Sequence, residues 1–140
     1  MAEHGQQDAP AGLRIYTRQP GELRPLHANS IGKAIFAERP ADAQQALGGQ
    51  LSFERFTDAT ITSLPALVEH TARSRTQGWA DNVGESAPEL SAVAIALPID
   101  GDWYGQSIVG PTERIRLHHD AHVAALVDAK ARLLAEHDRR

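Results

Sequence analysis

The chain has 140 residues, enough for one domain, and its 41% hydrophobic and 23% charged side chains exclude disordered and fibrous classes. Its formal charge is −4 and its 14 Lys and Arg are scattered, only Arg139 and Arg140 adjoining, so no basic face for nucleic acid is expected. Without cysteine there is no disulfide framework, thiolate zinc site or thiol nucleophile. No apolar run approaches the roughly 20 residues of a membrane span, and Met1 to Gln7 lacks the parts of a secretory signal, so a cytoplasmic location is expected.

Residues 1–12, rich in Gln, Gly, Ala and Pro, read as a flexible leader. Leu13 to Thr17 alternates as a strand, and Gln19-Pro20-Gly21-Glu22 reads as a turn before Leu23-Arg24-Pro25, a hairpin or strand-turn-strand. In the run Pro25 to Ala37, Asn29 or Ser30 can cap a helix whose Ile31, Ala34 and Ile35 share one face, and Gly32 lets something come close. A buried helix start is thus joined to small polar groups able to face a ligand. Pro40 breaks this helix, and Ala41 to Leu47 makes a second one, stopped by Gly48-Gly49.

Phe53 and Phe56 are expected in the core, and Thr57 to Thr62 leads to Ser63, an N-cap for a helix with Pro65 in its first turn. Leu64, Leu67, Val68 and Thr71 fall on one face of that helix, and Gly78 supplies its left-handed stop. Trp79-Ala80-Asp81 begins a strand and residues 82–88 form a loop. Leu90 to Ile99 is an apolar run with small side chains on one parity and larger ones mostly on the other, read as the central strand. After the turn Asp100-Gly101-Asp102, Trp103 to Val109 pairs back and Gly110-Pro111 ends it. A last helix spans about His118 to His137, with Val123, Leu126, Val127, Lys130, Leu133 and Leu134 at helical spacing. This order predicts an α+β fold, a mainly antiparallel sheet with helices packed on one face, as in GAF- or profilin-like sensors.

Pro25-Leu26-His27-Ala28-Asn29-Ser30-Ile31-Gly32-Lys33-Ala34-Ile35-Phe36-Ala37 resembles the P-L-H-A-T-A-x-G-K-A-x-L-A stretch of the effector-binding domain of IclR-type transcriptional regulators. Phe56 to Thr62 is similar to that family's F-T-x-x-T-I-T, Arg75 to Ala80 to R-x-x-G-[YW]-A, and Ser107 to Arg114 to S-x-S-G-P-x-x-R, with order and spacing agreeing from about Leu13 to the end. The resemblance implies a GAF/profilin-like domain over residues 13–140, partial on its N-terminal side, that binds a small organic or aromatic acid and assembles as a homodimer or larger homo-oligomer. It also implies a winged helix-turn-helix, a linker helix and first strands of the domain, none of which lies before Leu13. DNA contact would need that missing part, and a sheet edge left unpaired at Leu13 would favour self-association. Two positions depart from the family pattern: Asn82 stands where an acidic ligand contact is expected, with Asp81 beside it, and Glu89 stands for a glycine.

By the same resemblance, Ser30 and Ile31 present backbone N–H groups to a ligand carboxylate, which suits the positive end of a helix; the plainer reading is that Asn29 and Ser30 only cap it. Asn82, Leu90, Ala92, Ser107 and Val109 match the remaining pocket wall, although Leu90, Ala92 and Val109 taken singly read as core. His118 and His122, four apart, have ligand-like spacing, but no third ligand is predictable and Asp120 there suits an exposed helix start, so no metal is expected. His27 reads as packed beside Pro25-Leu26, and Ser86 in Gly84-Glu85-Ser86 as a loop serine without triad partners. A cofactor-free sensor domain, not an enzyme, is the reading that follows. Its rivals are an assembly module with a vestigial pocket and a metal-dependent enzyme at His118 and His122.

Overall fold

The computed structural model describes residues 3–8, 13–18 and 26–139. Strands β1 (Glu3–Asp8), β2 (Leu13–Arg18), β3 (Ala80–Val83), β4 (Leu90–Ile99) and β5 (Asp102–Pro111) form one antiparallel sheet in the order β1-β2-β5-β4-β3. The middle strand is therefore β5, and Leu90–Ile99, expected at the centre, lies one place toward the β3 edge.

Two further expectations are corrected at the N-terminal side. Part of the leader is strand β1, with Glu3 opposite Arg18 and Asp8 opposite Arg14. An edge strand needs only its ladder hydrogen bonds, so a polar stretch such as Glu3–Asp8 serves without an apolar period to announce it. Because β1 and β5 flank β2, Leu13 does not start an open edge, and that ground for self-association falls. The turn expected over residues 19–22 and the segment to Pro25 lie outside the described residues.

The sheet carries helices on both faces rather than one. Along β4, Val93, Ile95 and Leu97 join Ile108, Ile115 and Leu126 in one buried cluster, while Ala94 and Ala96 join Ile31, Ala34 and Ala80 in another. Side chains alternate between faces along a strand, so the larger parity meets helix α5 (His119–Asp138) and the alanine parity meets helix α1 (Ser30–Glu38). An alanine row is a weak hydrophobic signal but a good bed for a helix, since small side chains let the helix lie close. Gly105 on β5 extends that bed: a Cβ there would press into Ile31 Cγ2, well inside van der Waals contact.

Local sequence explains the other ends. Asn29 caps α1, its Oδ1 accepting from Gly32 N at 2.9 Å, and Gly32 is small because the backbone of Leu26, in a 3-10 turn (Leu26–Ala28), comes within 3.1 Å of where a Cβ would stand. The close approach expected at Gly32 is thus made by the chain itself. Helix α2 (Ala41–Gly48) follows Pro40, and α3 (Leu64–Gln77) runs from its Ser63 cap to Gly78 at φ 90°, burying Leu67, Thr71 and Ser74. The β4–β5 turn has positive φ at both Asp100 and Gly101, the conformation that matches strand twist in a tight hairpin. A short helix α4 (Thr112–Leu117), not expected, precedes α5. On α5, Leu126 is fully buried while Val127 and Leu133 are exposed, a narrower apolar stripe than the spacing predicted. Phe53 and Phe56 flank the buried His27 ring at centroid distances of 5.3 and 5.8 Å instead of entering the main core, and Phe56 stays exposed.

Candidate functional site

One row of the sheet makes the floor of a cavity. Asn82 on β3 is opposite Ala92 on β4, and Ala92 is opposite Val109 on β5; two residues along, on the same face, Ala94 is opposite Ser107. The turn at Leu26–Ala28 brings the start of α1 over this row, and the loop after β3 closes the side. Together they enclose about 210 Å³, lined by Ser30, Ile31, Asn82, Leu90, Ala92, Ser107 and Val109, every one of the positions selected from the sequence, with Ala28, Asn29, Ser86 and Ser91. Ser30, Ile31, Asn82, Ala92 and Ser107 are buried, whereas Leu90 and Val109, at 42% and 39% exposure, stand at the mouth.

The polar groups of the cavity that remain open to a ligand are backbone amides and serine hydroxyls. Asn29 satisfies the Gly32 amide, and among the described residues the N–H groups of Ser30 and Ile31 have no acceptor. These amides carry the positive end of the α1 dipole. The hydroxyls of Ser30, Ser86 and Ser107 likewise make no hydrogen bond among the described residues, while Leu90, Ala92 and Val109 supply apolar wall. Among the described residues, no ionised side chain lines the cavity.

Asn82 has a further task. Its Nδ2 donates to Ala28 O at 2.6 Å and its Oδ1 accepts from Glu85 N at 2.9 Å, so the side chain ties the turn before α1 to the loop after β3. The loop bends at Gly84, φ 64°, whose N–H reaches Leu90 O at 3.0 Å and Ser91 Oγ at 3.1 Å. Thr57 and Thr60 hydroxyls hold it from outside, donating to Gly84 O at 2.7 Å and Glu85 O at 2.6 Å. Beneath it, Lys33, with a fully buried side chain, meets Glu85 Oε1 at 2.6 Å and His70 Nε2 at 3.2 Å, and His70 Nε2 is 3.7 Å from Asp81 Oδ1. Burial lowers the Lys33 pKa, against the pull of Glu85; burial, then the Lys33 charge, lowers that of His70. With its Nε2 unprotonated, the His70 ring can accept a hydrogen bond from the Lys33 ammonium.

Ser86, Lys33, Glu85, Thr57 and Thr60 were not selected from the sequence. A lysine inside an otherwise apolar helix stretch, Ile31 to Ala37, was the available signal for Lys33; the threonines offered none, since their partners are backbone carbonyls far along the chain. A second cavity of about 230 Å³ lies on the other face of β3 and β4, against α4 and α5, with Asp81, Arg116 and His119 among its lining. The His118 and His122 rings meet edge to face at 6.0 Å, and among the described residues no group of three His, Cys, Asp or Glu is placed to hold a metal. His27 Nε2 bonds Glu54 O at 2.8 Å, a packing role.

Comparison with known proteins fits this geometry. Residues 6–135 match the family described as bacterial transcriptional regulator IclR, C-terminal. The HTH-type transcriptional regulator BhcR of Paracoccus denitrificans is 38% identical over 113 residues, 79% of this chain. The crystal structure of the C-terminal domain of the E. coli regulator KdgR superposes with a TM-score of 0.72 at 25% identity, covering 90% of this chain and 81% of that one. The inducer-binding domain of a double mutant of PobR from Acinetobacter, in complex with 3-hydroxybenzoic acid, shares the fold with a TM-score of 0.71 at 19% identity, over 91% of this chain and 73% of that one. The chain spans less than half the length of the curated relatives it matches, 39% of BhcR and 49% of E. coli KdgR. An α+β antiparallel sheet of GAF/profilin-like type, a profile match over most of the chain and relatives named as transcriptional regulators lead to one conclusion: the chain belongs to the IclR family, as its C-terminal, effector-binding domain.

Proposed function

We propose that this domain senses a small organic or aromatic acid, held with its carboxylate at the start of α1 and its apolar body against Ala92, Leu90 and Val109. The observation that carries the reading is the pair of amides, Ser30 and Ile31, without an acceptor among the described residues, opening into a cavity whose other polar groups are serine hydroxyls and the Asn29 and Asn82 side chains, the last two engaged with the backbone. Donors without a counter-charge suit a single carboxylate, and a helix start favours anions. The size agrees, since a cavity of about 150 Å³ accommodates benzene. The PobR complex supports the same chemistry in a protein of this fold. In a complete regulator, ligand bound between α1 and the loop after β3 would favour one arrangement of the domain and pass it to a DNA-binding part. Cytoplasmic action and assembly as a homodimer or larger homo-oligomer belong to this reading.

Calorimetric titration with benzoate, 3-hydroxybenzoate, pyruvate and a series of aliphatic acids, beside the matching amides and amines, tests it. Saturable binding confined to acids is expected; equal binding of the amides, or of no acid at all, defeats it and favours an assembly module.

A further inference from the structure

We propose that Lys33 is a positioning residue of the cavity: by pairing with Glu85 from inside the molecule it sets the separation between α1 and the loop of residues 82–86, and so sets effector affinity without touching the effector. The proposal rests on the effector reading above. Its ground is that Lys33 and the candidate carboxylate site share one short helix, while Glu85 stands between two residues of the facing wall, Asn82 and Ser86.

Every polar group of Glu85 is engaged. Oε1 accepts from Lys33 Nζ at 2.6 Å, Oε2 from Val83 N at 3.2 Å and the carbonyl from Thr60 Oγ1 at 2.6 Å, while its N–H donates to Asn82 Oδ1 at 2.9 Å. Most of these ties join the loop to itself or to the Thr57–Thr60 segment. Two span from the loop to the α1 side: Asn82 to Ala28 O, just before the helix, and Lys33 to Glu85, one turn inside it. One bridge to the turn that leads into α1 and one to the helix itself fix both its distance and its tilt over the sheet row that floors the cavity. A fully buried ammonium is costly unless its partners are well placed, and an apolar residue of similar length would fill the same space more cheaply. Placing an ion pair there gives the loop one register instead of several, a use for which buried polar groups are known. His70 Nε2 completes the ammonium's coordination, so Lys33 is held from α3 as well.

The test compares the full chain with Lys33→Met/Glu85→Gln, which removes the pair without leaving an unpaired buried charge, and with Lys33→Gln/Glu85→Gln, which is also uncharged but keeps polar groups on both sides. Amide hydrogen exchange reads the loop whether or not an acid binds, and titration with benzoate and 3-hydroxybenzoate reads the cavity. Protection of the amides of residues 83–86 is expected to fall at least tenfold in Lys33→Met/Glu85→Gln and less in Lys33→Gln/Glu85→Gln, with α5 amides around Leu126 unchanged, and acid Kd to rise at least tenfold in the former. Equal loss of protection in α5 would show a general structural role and overturn the proposal, as would a loosened loop with unchanged acid affinity or a loop as protected as before. If the full chain binds neither acid while the loop loosens locally, the effector reading fails and the positioning of the loop by Lys33 stands. Should Lys33→Met/Glu85→Gln not fold, Lys33→Gln/Glu85→Gln decides by the same local-against-global criterion.

Discussion

At the scale of single residues, the start of α1 offers a clean substitution. Ser30 is the first helical residue and Asn29 before it is extended, at φ −131° and ψ 125°, which is the setting a proline tolerates. Ser30→Pro therefore removes one amide donor with little disturbance of the helix, and acid affinity should fall by about 1.5–3 kcal/mol, at least roughly tenfold, with the melting temperature nearly kept; Ser30→Ala should lose less. Calorimetry beside a thermal melt checks both. For Asn82, the family-like change Asn82→Asp exchanges the Nδ2 donor for an oxygen aimed at Ala28 O, so it should destabilise the fold by about 1–3 kcal/mol in denaturant titration, beyond any effect on ligand. His70 adds a pH dependence. Its folded pKa lies below the ordinary 6.5, so between the two values the unfolded chain binds more protons and stability must decline as pH falls through that window. Lys33, also lowered, acts in the same sense on the alkaline side, stability rising with pH toward 10.5. The His70 slope should be a fraction of the about 1.4 kcal/mol per pH unit of one full proton, because the ring is partly exposed and screened. Melts from pH 7.5 to 5 should show it in the native chain and a shallower decline in His70→Gln.

At the scale of elements, the two faces of β4 predict two kinds of mutant. Leu126→Ala, on the α5 face, should lose about 2–5 kcal/mol of stability while leaving acid affinity per folded molecule unchanged. Gly105→Ala, on the α1 face, should lose about 1–3 kcal/mol by overpacking against Ile31, yet weaken binding as well, since Ile31 belongs to the cavity. Denaturant titration paired with calorimetry separates them. Much of this was legible in the chain: Ser63, Pro65 and Gly78 bound α3 as capping chemistry requires, and the period of Leu90 to Ile99 marked β4 with its two parities. The row Asn82, Ala92, Val109 was named from the resemblance to the IclR effector domain and not from the strand pattern, which left Asn82 in a loop; β3 in fact runs to Val83, and its pairing with β4 and β5 puts the three on one face. What stayed hidden has a common cause. β1 is polar because an edge needs no core face, α1 sits on alanines whose hydrophobic signal is small, and the second role of Asn82 is a bond to a backbone carbonyl, which no side-chain pattern announces.

For the whole molecule, the expected behaviour is association without DNA binding. The formal charge is −4 and the described helices include no basic recognition face, so the chain alone should not shift one DNA sequence over unrelated DNA at physiological salt in gel mobility experiments. Leu117 at 78% exposure and the exposed Val127 and Leu133 on α4 and α5 offer apolar surface, and light scattering at high micromolar concentration should report a dimer or larger species; a monomer would count against assembly. The sheet itself carries an evolutionary consequence. The larger apolar side chains of β4, Val93, Ile95 and Leu97, lie on one face, while the depth of the cavity on the other face is set by methyl groups such as that of Ala92. Exchanging one methyl for a hydrogen or a larger group there changes the volume on offer to a ligand and leaves the opposite core untouched. A chain of this fold can therefore alter the size of its cavity by single steps at a few small residues, at a cost that falls on the α1 face and spares the core beneath α5, so that a shared scaffold accumulates different chemical vocabularies.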